Sequence, residues 1–364
     1  MGVVSVILEQ SLAPVPGGTG RYARQLAEAL VPLAPPGWSV RSITAWHRDV
    51  GPARAPGVVG PHRLWLGHRG LTAAWERGAP PWPGGDVVHA TTPLAPRRRR
   101  APLVVTVHDA VPWTHPETLT PRGVAWHRKT IETAARTADA IIVPSAATAE
   151  ELSRFVSLGD RVHVIPMAAT VLEVPADAAR RRASLGLPPR YLMSLATLEP
   201  RKGLDVLLAA LGRLGADAPP LAVVGQTGWG GVAPEAIAHA EGVPGDALHV
   251  LGRIGDDDLA AVLAGADAMV VPSRVEGFGM PVAEAMAAGV PVIHSDAAAL
   301  VEVAGGAGLT VPVGSAAALA DAIATLWRDP LLAGRLEASG RVRAAGYTWS
   351  ATAASTWDLY RSLR

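Results

Sequence analysis

The chain has 364 residues, of which 49% are hydrophobic and 18% are charged, and its formal net charge is +1. This length favours two domains over a single core, and the small net charge argues against a dedicated nucleic-acid-binding protein. The absence of cysteine excludes disulfides and thiolate metal sites. No apolar run approaches the roughly 20 residues that span a bilayer, and the first residues lack the features of a signal peptide, so we expect a cytoplasmic protein.

The first half of the chain is typical of alternating strands and helices. A buried strand is predicted at residues 3–8, followed by a glycine-rich loop and a helix over residues 21–31. Gly18 and Gly20 in that loop formally match a G-x-G-x-x-A dinucleotide pattern. They come well after the first strand, however, and the second strand, near residues 40–45, does not end in an acidic residue. The glycines fit a ligand-binding loop and a plain tight turn equally well.

Residues 47–86 are rich in Pro, Gly, Trp and Arg and have little periodicity, so we predict loops and short helices there. Four consecutive arginines follow at 97–100. A solvated loop is the favoured interpretation of this run, and contact with an anionic membrane surface or a phosphate-bearing acceptor is the alternative, at about 1 kcal/mol per arginine. A strand over residues 103–107 then leads directly into His108 and Asp109, at the strand end where open α/β sheets bind ligands.

The boundary between the two domains is predicted near residue 170. The elements before it are helix 121–137, strand 140–143, a helix with Ser145 as its N-cap, and strand 162–165. An irregular connector follows, and a new parallel sheet begins with a strand at 191–196. We therefore predict domains at 1–170 and 171–348.

Two cations mark the start of the second domain. Arg201 and Lys202 lie at the N-terminus of a predicted helix, where they oppose the helix dipole, so we expect an anion such as a diphosphate to offset them. Further strands are predicted at 221–225 and 247–251. The aspartates at 256–258 contain a D-x-D pattern, but their place at a helix start favours capping over metal binding.

The motif that carries most information lies between two apolar strands later in this domain. Gly277 and Gly279 let the backbone approach a ligand closely, and Pro281 fits the first turn of a helix whose N–H groups favour an anion. Glu276 lies in this turn, and Glu284 lies one helical turn inside the helix that follows. Ionised carboxylates accept hydrogen bonds from hydroxyl groups, so amides and carboxylates together suit a sugar nucleotide.

Glu276, seven residues and then Glu284, within PSRVEGFGMPVAEAMAAGVPV, resembles the E-x7-E signature of the retaining family 4 glycosyltransferases. The segment TLEPRKG at 197–203 resembles a second motif of that family, and the similarity runs through most of the chain. The resemblance implies a GT-B architecture, which is an α/β fold with two doubly wound Rossmann-like domains facing across a cleft. It also implies that the first domain lies on the acceptor side, that the second binds the nucleotide sugar, and that the helix at 349–364 docks back on the first.

The resemblance also implies roles for individual residues. The expected catalytic residues are His108, bracing the sugar, Glu276, holding its hydroxyls, and Arg201 and Lys202, stabilising the leaving diphosphate. Arg201 replaces an arginine that many members carry where this chain has Ala196-Thr197. The expected donor-binding residues are Gly18, Gly20, Thr197, Arg253, Ile254, Gly277, Phe278, Gly279, Met280, Pro281 and Glu284, the last of them on the ribose. No metal, cofactor, protein nucleophile or protein base is expected.

The reaction implied is retaining transfer of a hexose, with GDP-mannose favoured, from a nucleoside diphosphate sugar to a hydroxyl. The acceptor would be a glycan, a lipid-linked molecule or a small molecule of bacterial polysaccharide biosynthesis, with no nucleic-acid partner. Peripheral contact with the inner membrane is compatible with the arginine run, and no oligomeric state is predicted. A GT-B sugar-nucleotide epimerase and a non-catalytic sugar-nucleotide-binding protein remain alternatives.

Overall fold

The computed structural model describes residues 2–97, 100–228 and 230–364. It divides into two compact units. Unit 1 comprises Met1–Pro116, Thr120–Met167 and Thr348–Arg364, and unit 2 comprises Glu117–Leu119 and Ala168–Tyr347. Each unit contains one parallel sheet covered by helices.

The strands and helices of unit 1 alternate along the chain. In order they are β1 (Gly2–Ile7), α1 (Gly17–Leu30), β2 (Trp38–Thr44), β3 (Val59–Arg63), α2 (His68–Glu76), β4 (Val87–Ala90), β5 (Leu103–Thr106), α3 (Val111–Thr114), α4 (Pro121–Thr137), β6 (Ala140–Val143), α5 (Ala146–Ser153) and β7 (Val162–Val164).

The elements of unit 2 follow the same alternation. In order they are α6 (Ala178–Ser184), β8 (Leu192–Leu195), α7 (Leu204–Leu214), β9 (Leu221–Val224), α8 (Pro234–Ala240), β10 (Leu248–Gly252), α9 (Asp256–Ala264), β11 (Ala268–Val271), α10 (Met280–Ala288), β12 (Val292–Ser295), α11 (Ala298–Ala304), β13 (Leu309–Val311), α12 (Ala316–Arg328) and α13 (Pro330–Ala344). The last helix, α14 (Trp349–Ser362), belongs to unit 1.

Strand order fixes where each sheet can bind a ligand. Over the described residues, the order is β3-β2-β1-β4-β5-β6-β7 in unit 1 and β10-β9-β8-β11-β12-β13 in unit 2, with every pair parallel. The order reverses between β1 and β4 in the first sheet and between β8 and β11 in the second. The carboxyl ends of the strands at these switch points are the usual ligand positions of open α/β sheets.

The apolar character of the central strands follows from this architecture. The strands β4, β5, β6 and β11 are buried at every position, as expected where helices cover both faces of a parallel sheet.

The predicted helix at 121–137 coincides with α4. Ser145 caps α5, because its side chain accepts a hydrogen bond from Thr148 N at 3.0 Å.

The prediction of a glycine loop before a helix at residue 21 was wrong, because α1 begins at Gly17 and both Gly18 and Gly20 lie in its first turns. The backbone N–H of Gly20 donates to Pro16 O at 3.0 Å, which closes the first turn. A Cβ at Gly20 would lie 2.7 Å from Pro16 Cβ and 3.0 Å from Gln10 O. Close packing against the preceding segment therefore requires glycine at that position.

The prediction of only loops and short helices over residues 47–86 was also wrong. This region contains β3, which pairs in parallel with β2 through Ile43↔His62 and Thr44↔Arg63. Its sequence VGPHR includes a proline and is exposed at four of five positions. These are properties of an edge strand, which carries no apolar alternation to signal it. The buried strand β4, just after this region, was not predicted.

Hydrogen bonds from α14 complete unit 1. Trp357 Nε1 donates to Leu30 O at 2.9 Å, and Thr352 Oγ1 donates to Pro166 O at 2.8 Å. The Tyr360 hydroxyl lies 2.6 Å from Nδ1 of His89, which is fully buried in β4. The last helix is thus bonded to α1, to the sheet and to the segment after β7.

Two features bear on the membrane expectation. In the described part of the chain, no helix is long and apolar enough to cross a bilayer. Of the arginines at 97–100, Arg98 and Arg99 lie outside the described residues. The alternative that this run contacts an anionic membrane surface or a phosphate-bearing acceptor depends largely on these two residues. Arg97 donates to Thr133 Oγ1 of α4 at 3.5 Å.

Candidate active site

The two predicted motifs leave adjacent strands of the unit 2 sheet. The segment 196–203 follows β8, and the segment 272–279 follows β11. Because strand order reverses between these two strands, both segments emerge at the switch point. The fold therefore brings the two motifs together, although sequence distance separates them.

Arg274 joins the two segments. Its backbone N–H donates to Arg201 O at 2.8 Å, and its Nη1 donates to Pro200 O at 2.7 Å. Its guanidinium also binds both carboxylate oxygens of Asp205, at 2.9 and 2.6 Å. Such a fork-to-fork pair fixes orientation as well as distance. We did not single out Arg274 or Asp205 from the sequence, where the only signal was an arginine inside one motif and an aspartate just after the other.

Gly203 allows the closest approach between the segments. It has φ 69°, the left-handed conformation that favours glycine, and it caps α7. A Cβ at this position would lie 2.1 Å from the carbonyl oxygen of Pro272. The segment carrying Arg201 and Lys202 therefore lies in backbone contact with the segment carrying Glu276.

A charged cluster occupies this contact. Lys202 Nζ lies 2.7 Å from Glu276 Oε1, and Arg201 Nη1 lies 3.4 Å from Glu276 Oε2. Ser273 Oγ donates to Glu276 Oε1 at 2.8 Å, and Arg201 Nε binds Glu199 Oε2 at 3.0 Å. The two cations at the start of α7 are thus already partly offset by carboxylates of the chain, which the sequence did not predict.

Burial and charge act against each other in this cluster. The side chains of Glu276 and Lys202 are 8% and 14% exposed. Burial alone would raise the pKa of Glu276, but the charges of Lys202 and Arg201 outweigh it, and the net pKa is lowered. The pKa of Lys202 is lowered by burial and by the charge of Arg201, against the opposing effect of Glu276.

The second motif continues into α10 through a glycine in the left-handed conformation. Gly279 has φ 98° and ψ 53°, and a Cβ there would lie 2.3 Å from Cδ2 of the fully buried Leu300. Pro281 lies in the first helical turn and has no N–H to offer. Among the described residues, the N–H groups of Phe278, Gly279 and Met280 have no acceptor. They are the amides available to an anion at this helix start.

The remaining predicted donor residues are spread along the same sheet edge. Glu284 is 4% exposed and lies one turn into α10. Thr197 is packed against Gly228, where a Cβ would lie 2.6 Å from the Thr197 Cγ2 atom. Arg253 and Ile254 follow β10, which β9 separates from β8, so they lie further along the edge than the charged cluster does.

His108 lies in unit 1, after β5. Its Nε2 is 2.8 Å from the carbonyl oxygen of Thr91, which can only accept, so Nε2 carries the hydrogen and Nδ1 is an acceptor. That Nδ1 is buried and has no partner among the described residues. The imidazole packs edge-on against Tyr22, with ring centroids 5.1 Å apart. Burial lowers the pKa of His108, which favours the neutral ring with its acceptor nitrogen unoccupied by protein.

Comparison with known proteins identifies the family. A model described as Glycosyl transferases group 1 matches residues 189–329, and one described as Glycosyltransferase Family 4 matches residues 16–169. The chain is 32% identical over 297 residues to phosphatidyl-myo-inositol mannosyltransferase of Mycobacterium leprae, which covers 76% of this chain and 74% of that protein. The chain belongs to glycosyltransferase family 4.

Two further relatives of this glycosyltransferase are also named as enzymes that transfer a sugar. It is 30% identical over 298 residues to MMP alpha-(1->4)-mannosyltransferase of Mycolicibacterium hassiacum, covering 76% of this chain and 70% of that one. It is also 30% identical over 396 residues to D-inositol 3-phosphate glycosyltransferase of Streptomyces bingchenggensis, covering 99% and 84%. The predicted family and enzyme class are confirmed.

Solved structures confirm the fold of the glycosyltransferase. Sucrose-phosphate synthase from Thermosynechococcus elongatus superposes with a TM-score of 0.80 at 25% identity, covering 100% of this chain and 99% of that one. WaaG, a glycosyltransferase involved in lipopolysaccharide biosynthesis, gives a TM-score of 0.71 at 18% identity, covering 98% and 99%. The predicted GT-B fold with two Rossmann-like domains is thus confirmed.

Several acidic residues of the glycosyltransferase serve as ion-pair partners. In residues 2–97, 100–228 and 230–364, no group of three or more His, Asp or Glu is arranged to hold a metal. In the D-x-D segment, Asp257 and Asp258 pair with Arg181 of α6 at 3.2 and 2.7 Å. They tie α9 to α6, in the first turn of a helix where acids are favourable.

Proposed function

We propose that this glycosyltransferase moves a hexose from a nucleoside diphosphate sugar to a hydroxyl group, with retention of anomeric configuration and without a metal ion. The carrying observation is the placement of Lys202 and Arg201 against Glu276, three residues before the glycine that caps α10. Two cations and the amides of Phe278, Gly279 and Met280 converge on one edge of the sheet. That set of donors suits a diphosphate.

The chemistry follows from where charge develops. When the bond from the anomeric carbon to the diphosphate breaks, negative charge grows on the leaving oxygen. The guanidinium of Arg201, the ammonium of Lys202 and the α10 amides would stabilise it without reorganising, because the chain already holds them in place. Cationic side chains would then do what a metal ion does in other transferases.

Glu276 is proposed to act in two ways. Its carboxylate would accept hydrogen bonds from sugar hydroxyls, and it orients Lys202, whose ammonium lies 2.7 Å away. Because carboxylates accept only, Glu276 would not contact the diphosphate itself. Glu284, buried one turn further into α10, would hold the ribose hydroxyls.

His108 is proposed to contact the transferred sugar through Nδ1. This atom is an unpartnered buried acceptor in the described chain, which matches a hydroxyl donor on a sugar. We assign no protein nucleophile or base to the reaction. The leaving phosphate oxygen would take the acceptor proton on the same face, which gives retention.

Mannose is the proposed sugar and GDP the proposed leaving group. Two of the relatives described above are named as mannosyltransferases, and the proposal of GDP rests on motif style. The acceptor would be a hydroxyl of a glycan, a lipid-linked molecule or a small molecule.

The first test is a thermal-shift panel of GDP, UDP, dTDP and ADP, each with and without EDTA. A nucleotide at 100 times its dissociation constant should stabilise the protein by about 2.7 kcal/mol. We expect a shift with GDP that survives EDTA and is lost in Lys202→Met but kept in Arg213→Ala, an exposed arginine of α7. A shift abolished by EDTA would refute the metal-free arrangement.

The second test is product analysis with GDP-mannose and a hydroxyl acceptor. Nuclear magnetic resonance of the new glycoside should show the α configuration of the donor. An inverted product would refute retention. Conversion of the donor to another sugar nucleotide in the absence of acceptor would instead indicate an epimerase.

A further inference from the structure

A carboxylate and two imidazoles form a cluster in unit 1 that the proposed donor site does not use. Glu9 follows β1, His47 follows β2, and His68 begins α2. Oε1 of Glu9 lies 2.8 Å from both His47 Nε2 and His68 Nδ1, and Oε2 accepts a 2.8 Å hydrogen bond from Ala45 N. Glu9 is only 5% exposed. One buried carboxylate thus fixes both rings, and we name these three residues the Glu9 cluster.

The carboxylate also sets which nitrogen of each ring carries hydrogen. An ionised carboxylate only accepts, so Nε2 of His47 and Nδ1 of His68 are the donors. The opposite nitrogens, Nδ1 of His47 and Nε2 of His68, have no partner among the described residues. The two side chains are 26% and 56% exposed. A ligand can therefore reach both outward nitrogens.

Two exposed tryptophans lie close to the cluster in sequence. Trp46 immediately precedes His47, and Trp65 precedes His68 by three residues. Trp46 N donates to Leu66 O at 2.8 Å, which places the two tryptophans on adjacent backbone segments. Trp46 is 56% exposed and Trp65 is 68% exposed. So much exposure is unusual for the largest side chain, and exposed apolar surface on neighbouring segments is a feature of binding sites.

These groups match the chemistry of a sugar-like ring. An indole offers a flat apolar face with negative charge density, which covers the C–H face of a pyranose or cyclitol ring. The outward imidazole nitrogens exchange hydrogen bonds with the hydroxyls at the ring edge. Most small-molecule sites combine apolar walls with a few fixed polar groups in this way.

We infer that the Glu9 cluster, with Trp46 and Trp65, binds the acceptor and that the acceptor presents there a ring bearing vicinal hydroxyls. This inference rests on the proposed transfer to a hydroxyl. The patch follows the carboxyl ends of β1, β2 and β3, with Glu9 nearest the switch point between β1 and β4. The patch lies partly within residues 47–86, where β3 was not predicted from the sequence, and partly next to that region.

Saturation-transfer nuclear magnetic resonance on the full chain tests binding, with methyl α-D-mannopyranoside and myo-inositol as probes. We expect wild type to bind at least one of them, and Trp65→Ala and His68→Ala to weaken that binding about tenfold, the usual effect of one well-packed aromatic or polar contact. Trp82→Ala, a 36% exposed tryptophan in the same unit, is the matched control. Since these side chains are exposed, the variants should fold.

Kinetics separates a direct contact from a positioning role. With the bound probe as acceptor, Trp65→Ala should raise the acceptor KM about tenfold and leave kcat nearly unchanged. Glu9→Gln removes the shared acceptor of both imidazoles, so Glu9 is a positioning residue. Its variant should raise KM as His68→Ala does, and adding His68→Ala to it should have little further effect.

Three results would overturn the inference. They are the absence of probe binding by wild type while the nucleotide shift persists, unchanged probe binding in Trp65→Ala and His68→Ala, and vesicle binding in place of probe binding. For the last, sedimentation with phosphatidylglycerol vesicles would show binding that Trp46→Ala and Trp65→Ala abolish. Loss of the nucleotide shift in wild type would count against the proposed function instead, so the two failures are distinguishable.

Discussion

The ammonium of Lys202 lies 2.7 Å from Oε1 of Glu276, although 74 residues separate the two in sequence. The same oxygen accepts a hydrogen bond from Ser273 at 2.8 Å. The cation and the carboxylate therefore form one ion pair, which is held between the ends of two adjacent strands. Substitutions at either residue must be interpreted through the other.

The first prediction concerns this pair. Lys202→Met should lower kcat by on the order of 10²–10³, because it removes a fixed charge from the leaving group. Lys202→Met and Glu276→Gln should each destabilise unit 2 by up to about 3–5 kcal/mol, since each removes one member of a buried ion pair, although Arg201 still faces Glu276 after the first change. The double variant should recover most of that stability without recovering activity, as measured by urea unfolding and initial rates. A double variant no more stable than the worse single would contradict the pairing.

The second prediction concerns Arg274, which binds Asp205 and the carbonyl of Pro200. Arg274→Lys keeps the charge but loses the paired geometry. We expect about a tenfold to hundredfold fall in kcat, because the segment carrying Lys202 would shift relative to α10. Arg213→Ala, exposed at the other end of α7, should leave initial rates unchanged. Equal rates for Arg274→Lys and wild type would show that this bridge does not position the cluster.

The third prediction compares two glycines with the same left-handed backbone conformation, Gly203 at the start of α7 and Gly289 at the end of α10. Gly203→Ala combines an unfavourable φ of 69° with a contact of 2.1 Å to Pro272 O, and should cost about 2–4 kcal/mol. Gly289→Ala has a similar backbone conformation, with φ 76° and ψ 28°, but its Cβ would meet only the movable end of the Arg341 side chain, so it should cost only about 1–2 kcal/mol. Thermal unfolding measures both. If the two variants are equally stable, the contact with Pro272 is not what restricts Gly203.

The fourth prediction isolates one nitrogen of His108. In His108→Gln the side-chain amide can still donate to the Thr91 carbonyl, which lies 2.8 Å from His108 Nε2 in the wild type, but the amide oxygen, although an acceptor, does not occupy the position of Nδ1. We expect transfer to fall about 10²-fold, as for loss of a fixed group at the reacting sugar, while the thermal midpoint changes little. His108→Ala, which loses both interactions, is the comparison. Retention of full activity by His108→Gln would exclude Nδ1 from the reaction.

The fifth prediction concerns pH and His89. Burial lowers the pKa of His89 from 6.5 to about 3. Between these values the unfolded chain binds the proton and the folded chain does not. The free energy of unfolding should therefore fall as pH falls below 6.5, by about 1.4 kcal/mol per pH unit from this residue. His89→Gln should flatten the slope between pH 4.5 and 6.5, whereas His239→Gln, exposed on α8, should not. Denaturant unfolding across this range provides the check, and an unchanged slope in His89→Gln would contradict it.

Local chemistry was predictable from the sequence, and long-range pairing was not. The turn through Gly279 and the helix after it were visible because their signals lie within a few residues. The bond between Lys202 and Glu276 was not, because it depends on β8 and β11 being neighbours, which strand order decides. The same holds for Arg274 and Asp205, whose side chains meet only when two loops emerge at one edge.

Unit 1 shows the other limit of sequence reasoning. The edge strand β3 has no apolar alternation, since its side chains are mostly exposed. Without it, His68 could not be placed beside His47, and Glu9 had no visible partner. The proposed acceptor patch thus depends on a strand that only the three-dimensional arrangement reveals.

The position of α14 has a consequence for how the protein is made. Trp357 and Tyr360 complete the bonding of unit 1, yet the ribosome adds them only after every residue of unit 2. During synthesis, the nascent first unit must wait with Leu30 O and Nδ1 of His89 lacking these partners until the last helix leaves the exit tunnel. Premature termination shortly before residue 349 would therefore damage the half of the molecule that was translated first.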